Sequence, residues 1–319
     1  MNFYWQVVLA YVLDLLVGDP RGYPHPVRII GFCAQTLERT SRALFKNQVF
    51  AGRVTAPAVA GGTYAASWSA LKLLGLAHPW AESLGSVFLI YAALATRSLY
   101  DESRPVLEFL KAGNDDRARK SLSNIVGRDT GRLNRKEIAR AAVETVAESS
   151  LDGIVSPLFY ACLGGAPLAM AYKAVNTMDS MFGHKDETYR DFGRVPARLD
   201  DAANFIPARL TGLIMALASA LCGFRGRDSL LTTLKDGQNH DSPNAGIPEA
   251  AMAGALGIQL GGRNYYEGQA VEKPLMGAKT REIAAEDIAN GHKIMFATSG
   301  LALIVFVCGR YFLDSLLGR

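Results

Sequence analysis

Six apolar blocks, near residues 1–17, 56–76, 80–96, 154–172, 202–223 and 295–316, alternate with strongly charged segments along the chain. A helix crosses a hydrocarbon core in about 20 apolar residues, and several blocks approach that length. No long run alternates in the manner of strands. The pattern predicts an all-α, polytopic integral membrane protein with about five or six membrane helices, formed as a single domain over residues 1–319. "MFATSGLALIVFVCGRYFLDSLL" is the clearest span, and "WAESLGSVFLIYAALAT" follows "GLAHP", a good place for a tight turn between neighbouring helices. Gly164, Gly165 and Pro167 interrupt the block at 154–172, so it reads as two half-helices, with room for a re-entrant hairpin. Segment 244–262 is small-residue-rich and only mildly apolar, which suits a buried helix or a partial entry.

Charge gives the orientation. Lys and Arg are dense in 18–55 and 97–140, which places both on the cytoplasmic side with the 56–96 hairpin between them. Segment 97–140 reads as a cytoplasm-facing layer of charged helices, with "AGNDD" as turn and cap. A full crossing by 154–172 would put the charged stretch 173–201 outside, whereas a re-entrant turn returns it to the cytoplasm. The first apolar stretch has no basic flank and no evident small-residue cleavage site, so it is expected to be a retained anchor. With 34 basic against 30 acidic residues, no large field points to nucleic acid. Cys33, Cys162, Cys222 and Cys308 are too scattered for a zinc or redox motif.

Four polar clusters flank the apolar blocks. "DLLVGDPRGYPHPV" carries Asp14, Asp19, Arg21, His25 and Arg28; its prolines either hold His25 for function or form a rigid connector. "VGRDTGRLNRKEIARAAVETVAESSLDG" carries Arg128 and Arg132, then Glu144, Glu148 and Asp152 at i, i+4 and i+8. Such a ladder drifts slowly around one helical face, and its like charges are solvated, paired with arginine, or gathered around a divalent cation. "NTMDSMFGHKDETYRDFGRVPARLDDAAN" sets Asn176 and Asp179 on one helical face and His184, Lys185 and Asp186 in succession. It then repeats Arg190, Arg194 and Arg198, whose forked guanidinium groups suit phosphate or carboxylate. Arg209 lies inside the next apolar block, as a functional group or a snorkelling one. "KDGQNHDSPNAGIPEAAMAGALG" adds Asn239, His240, Asp241, Asn244 and Glu249 in a proline-shaped loop. Phosphate-loop, dinucleotide, zinc-protease and nucleophile-elbow motifs are missing.

In their order, "DLLVGDPRGYPHPVRIIG", "ARAAVETVAESSLDGIVSPLFY", "YKAVNTMDSMFGHKDETYRDFGRVPARLDDAANFIPARL" and "DGQNHDSPNAGIPEAAMAGAL" resemble the adenosylcobinamide-phosphate synthase family of cobalamin biosynthesis, CobD or CbiB. The resemblance covers nearly the whole chain. It implies an enzyme of the cell membrane, with its active site on the cytoplasmic side. Such an enzyme joins aminopropanol phosphate, or a related amino alcohol, to a propionate of adenosylcobyric acid as an amide. The family is classed with ATP-dependent ligases, so ATP is implied as co-substrate and magnesium as its metal. On that footing Glu144, Glu148, Asp152 and Asp179 are expected at magnesium and phosphate, and His184, Lys185, His240 and Asp241 in catalysis. Asp19, His25, Arg28, Arg128, Asn176, Arg190, Arg194, Arg198, Asn239 and Asn244 are expected to bind substrate. Partners would be the lipid membrane, a second copy of the chain or other cobalamin-pathway enzymes. A transporter or channel is the competing reading, but it would concentrate polar residues at mid-membrane, whereas most of these lie in connecting segments.

Overall fold

The computed structural model describes residues 1–20, 22, 25–183 and 188–318. The chain is mostly helical. It opens with α1 (Phe3–Val17), α2 (Pro26–Leu44), α3 (Gln48–Ala77), α4 (Pro79–Ala93), α5 (Thr96–Lys111) and α6 (Asp115–Leu122). α7 (Arg135–Ser150) passes through a π-turn at Leu151–Val155 into α8 (Ser156–Phe182). α9 (Arg194–Leu221), α10 (Gly226–Asp236) and α11 (Gly246–Leu256) precede strands β1 (Leu260–Tyr266) and β2 (Gln269–Met276), and α12 (Glu286–Leu316) follows.

Local chemistry sets the helix ends. Asn114 caps α6 by accepting the Arg117 amide at 3.1 Å, as the "AGNDD" turn predicts. Asn134 and Glu137 form a reciprocal capping box at the start of α7. His25 and His78 do the work of Asn or Asp: each stands before a proline, and its Nδ1 accepts the amide two residues on, Val27 at 3.4 Å and Trp80 at 3.1 Å. Pro196 falls in the first turn of α9, where a missing N–H leaves no intrahelical bond unmade, so the helix begins at Arg194 despite the proline. In α8, Gly164 (φ −143°) and Gly165 (φ 72°) leave helical geometry, which gives the two half-helices expected at "GGAP".

The β-hairpin corrects the all-α expectation. β1 and β2 pair antiparallel around a two-residue turn, Glu267–Gly268, whose φ values of 51° and 79° match the twist of the strands. Flanking residues "RNYY" and "QAVEK" are polar on both faces, so the strand period was weak.

The chain comprises two compact units. One comprises Met1–Ala95, Ser156–Asn204 and Leu303–Arg319. In it α3 packs on α2, α4 and α8, and α1 packs on α4 and α8. Gly52 permits one close approach, because a Cβ there would lie 2.4 Å from the Phe192 carbonyl oxygen. The other comprises Thr96–Val155 and Phe205–Ala302. There α7 contacts α5, α6 and α11, α10 pairs with α11, and Leu151, Ala208 and Ile247 share a core.

Among the described residues, three helical runs are long and apolar enough to span a membrane: Arg135–Phe182, Arg194–Leu221 and Glu286–Leu316. These mark a membrane protein. α1 is apolar but has 15 residues, fewer than a full crossing takes. The segment 244–262 resolves to the buried-helix alternative, since every residue of α11 is buried.

Candidate functional site

The carboxylate ladder does not behave as one face. Glu144 is 2 % exposed, Glu148 is exposed, and Asp152 is half-buried in the π-turn. An i to i+5 turn shifts the register, so Asp152 leaves the line that four-residue spacing would have kept. Glu144 is committed to protein groups. Its Oε1 accepts the Gly261 amide at 2.8 Å, and its Oε2 lies 2.6 Å from Arg128 Nη1. Arg140, one turn earlier, stands 3.8 Å from the same carboxylate. Arg140 also donates to the Gly261 carbonyl, to the Arg263 carbonyl at 2.7 Å and to Asn264 Oδ1 at 3.0 Å. Arg128 donates to that same Asn264 oxygen at 2.8 Å. Burial works against the Arg128 charge, but the Glu144 ion pair outweighs it and raises the guanidinium above its ordinary value. Together these groups clamp the hairpin backbone. At its other end, Asp129 Oδ2 accepts the Gly268 amide at 2.7 Å, and the Asp129 amide donates to the Tyr265 carbonyl at 2.8 Å.

The clamp positions Lys273 on β2. Its Nζ lies 3.5 Å from His240 Nε2, and that nitrogen lies 3.9 Å from Glu249 Oε1 on α11. His240 Nδ1 accepts the Ser242 amide at 3.0 Å, repeating the arrangement of His25 and His78. Since Nδ1 is an acceptor, the neutral ring carries its proton on Nε2. Burial lowers the imidazole pKa, with the Lys273 charge acting the same way and Glu148 and Asp241 opposing. Glu249 is wholly buried, and burial, then the Glu144 and Glu148 charges, raise its carboxyl well above the ordinary range. Asn239 and Asp241 are exposed at the edge of this loop. Asn244 is buried and accepts from Arg209 Nη1 at 2.7 Å, so both are satisfied within the protein. Asp236 ties the end of α10 to the Gly277 amide at 3.0 Å.

In the other unit, Asn204 organises a buried polar network between α8 and α9. Its Oδ1 accepts from Ser156 at 2.6 Å and Tyr172 at 3.0 Å, and its Nδ2 donates to Asp200 Oδ2 at 2.9 Å. Asn176 and Asp179 on α8 are half-buried beside Asp200. Arg190, Arg194 and Arg198 are exposed, as is Arg28. His25 Nε2 lies 3.1 Å from Asp19 Oδ1. His184 and Lys185 lie outside the described residues.

The family model for the CobD/Cbib protein matches residues 7–295. The chain belongs to the CobD/CbiB family. A CobD named a cobalamin biosynthesis protein from Klebsiella pneumoniae is 48 % identical over 96 % of this chain and 97 % of its own length. One of the same name from Geobacter metallireducens is 48 % identical, covering 94 % of each chain. A cobalamin biosynthesis protein CbiB from Salmonella typhimurium is 45 % identical over 95 % of this chain and 96 % of its own. No solved structure matches.

For this CobD/CbiB chain, Lys273, Arg140 and Asn264 escaped the sequence reading, and Glu249 was noticed without a role. Arg140 was legible as the i−4 partner of Glu144. Lys273 was hidden because nothing local to "QAVEKP" links it to His240.

Proposed function

We propose that the chain acts in cobalamin biosynthesis by joining the amine of aminopropanol phosphate, or a related amino alcohol, to a propionate of adenosylcobyric acid. The observation that carries the reading, beside the family, is the cluster of buried Glu249 with half-buried His240 and Lys273, with the exposed carboxylate of Glu148 among its electrostatic neighbours. A free carboxylate acylates poorly because its leaving group would be oxide. Transfer of the terminal phosphoryl group of ATP to the carboxylate oxygen gives an acyl phosphate and ADP; the amine then attacks the carbonyl carbon, inorganic phosphate leaves, and the nitrogen gives up a proton.

Among the described residues, no three His, Cys, Asp or Glu side chains gather closely enough to hold a metal. Magnesium needs only one or two carboxylates when substrate phosphates complete its shell, and Glu148 fits that smaller role. Bound there, magnesium would neutralise phosphate charge. Glu144 holds the hairpin instead. The exposed Glu148 is the carboxylate we assign to the reaction, and Asp241 lines the same loop.

The test is direct. Purified protein in detergent receives adenosylcobyric acid, aminopropanol phosphate, ATP and magnesium, and the amide is sought by mass. Omitting ATP removes the product if activation depends on it. A transporter reading draws on the buried Asp200, Asn204, Ser156 and Tyr172 network within apolar helices. It predicts corrinoid flux across proteoliposomes with no new covalent product.

A further inference from the structure

His240 and Lys273 face each other as two donors. The ring has one lone pair in its neutral form, and the Ser242 amide takes it at 3.0 Å. Nε2 therefore presents N–H toward an ammonium 3.5 Å away, which has no lone pair to offer. Among the described residues, no carboxylate lies within ion-pair distance of Lys273 Nζ; Glu249 Oε1 approaches the ring at 3.9 Å. Burial first, and then the Glu144 and Glu148 charges, push the Glu249 carboxyl upward. Such a group of donors is satisfied by an acceptor placed between them.

We infer that Lys273 Nζ and His240 Nε2 form a cradle for the phosphate monoester of a substrate. The inference rests on the synthase reading for the identity of that substrate, and on the donor geometry alone for the cradle. It moves phosphate recognition from the exposed Arg190, Arg194 and Arg198 to the hairpin. Charge-assisted bonds from an ammonium and an imidazole N–H suit a phosphate oxygen. Three carboxyl groups face the cradle: Glu249, buried and 3.9 Å from His240 Nε2, and the exposed Glu148 and Asp241. They match a ligand whose far end is positive, whether through its own ammonium or a bound magnesium ion. The phosphate belongs either to the amino alcohol or to the nucleotide.

Two variants isolate the cradle. K273M keeps the length of the side chain and removes the charge. H240N keeps an acceptor for the Ser242 amide and removes the Nε2 donor. Inorganic phosphate is titrated against the full-length protein in detergent, and KM is measured for each substrate in the amide-forming assay. Wild type should bind phosphate, and each variant should weaken that binding about tenfold or more. KM should rise similarly for aminopropanol phosphate if the amino alcohol is the source, or for ATP if the nucleotide is. K273R should recover part of the loss. A rise confined to the corrinoid, or phosphate binding unchanged in both variants, overturns the cradle. Lys273-dependent phosphate binding in a wild type that forms no amide would retain the cradle and refute the synthase reading.

Discussion

Glu144 Oε1 accepts the backbone amide of Gly261 at 2.8 Å, joining the middle of α7 to the start of β1. The same carboxylate neutralises Arg128 at 2.6 Å, so its removal strands a buried guanidinium. Breaking such a pair by deleting one partner costs about 3–5 kcal/mol. E144A should therefore lower the midpoint of thermal unfolding and speed amide exchange across 260–276. The loss should be the same with and without magnesium. A variant that kept full stability and lost only its magnesium response would return Glu144 to the metal.

Gly261 should be irreplaceable and Gly268 should not. Gly261 has φ of 84°, and a Cβ there would lie 2.0 Å from the Pro274 carbonyl oxygen. Gly268 has φ of 79° with open space around it. G268A should cost only the left-handed strain, about 1–2 kcal/mol, whereas G261A adds a backbone collision and should displace the hairpin. Equal melting curves for the two variants would contradict this.

Buried Glu249 and His240 make stability depend on pH with opposite signs. Glu249 keeps its proton in the fold above about 4.3, where an unfolded glutamate releases it. Its contribution is therefore greatest at low pH and declines as pH rises toward the elevated folded value. E249Q should flatten that decline. His240 is lowered by burial first and Lys273 second, so the unfolded chain binds the extra proton below about 6.5 and stability falls as the pH drops through that range. H240N should remove the acid-side loss. Unfolding free energies of the three proteins across pH, in one detergent, check both signs.

Asn204 should be as sensitive as a core residue despite its polarity. It satisfies Ser156, Tyr172 and Asp200 at once. N204L removes the hydrogen bonds that Ser156, Tyr172 and Asp200 make to Asn204 in a buried setting, at about 1–3 kcal/mol for a group left unsatisfied. A melting point unchanged from wild type would show that the network carries no load.

The helical character, the Asn114 cap and the break at "GGAP" were legible because each rests on local chemistry: apolar runs, Asn before a charged helix, paired glycines. The ladder was visible as a pattern, but its meaning depended on a π-turn that moves Asp152 and on a hairpin more than a hundred residues away that claims Glu144. His25 and His240 make the same Nδ1 contact, but His25 turns Nε2 toward Asp19 whereas His240 turns it toward Lys273. That difference arises from a long-range pairing, which no spacing along the chain encodes.

The central claim is tested by one comparison of wild type with E148Q in the amide-forming assay, each verified for insertion and melting behaviour. Mass analysis should show adenosylcobinamide phosphate with wild type and none with the folded, membrane-inserted E148Q. Absence of both amide and corrinoid binding in the wild type would contradict the synthase reading, and normal turnover by E148Q would remove that carboxylate from the reaction.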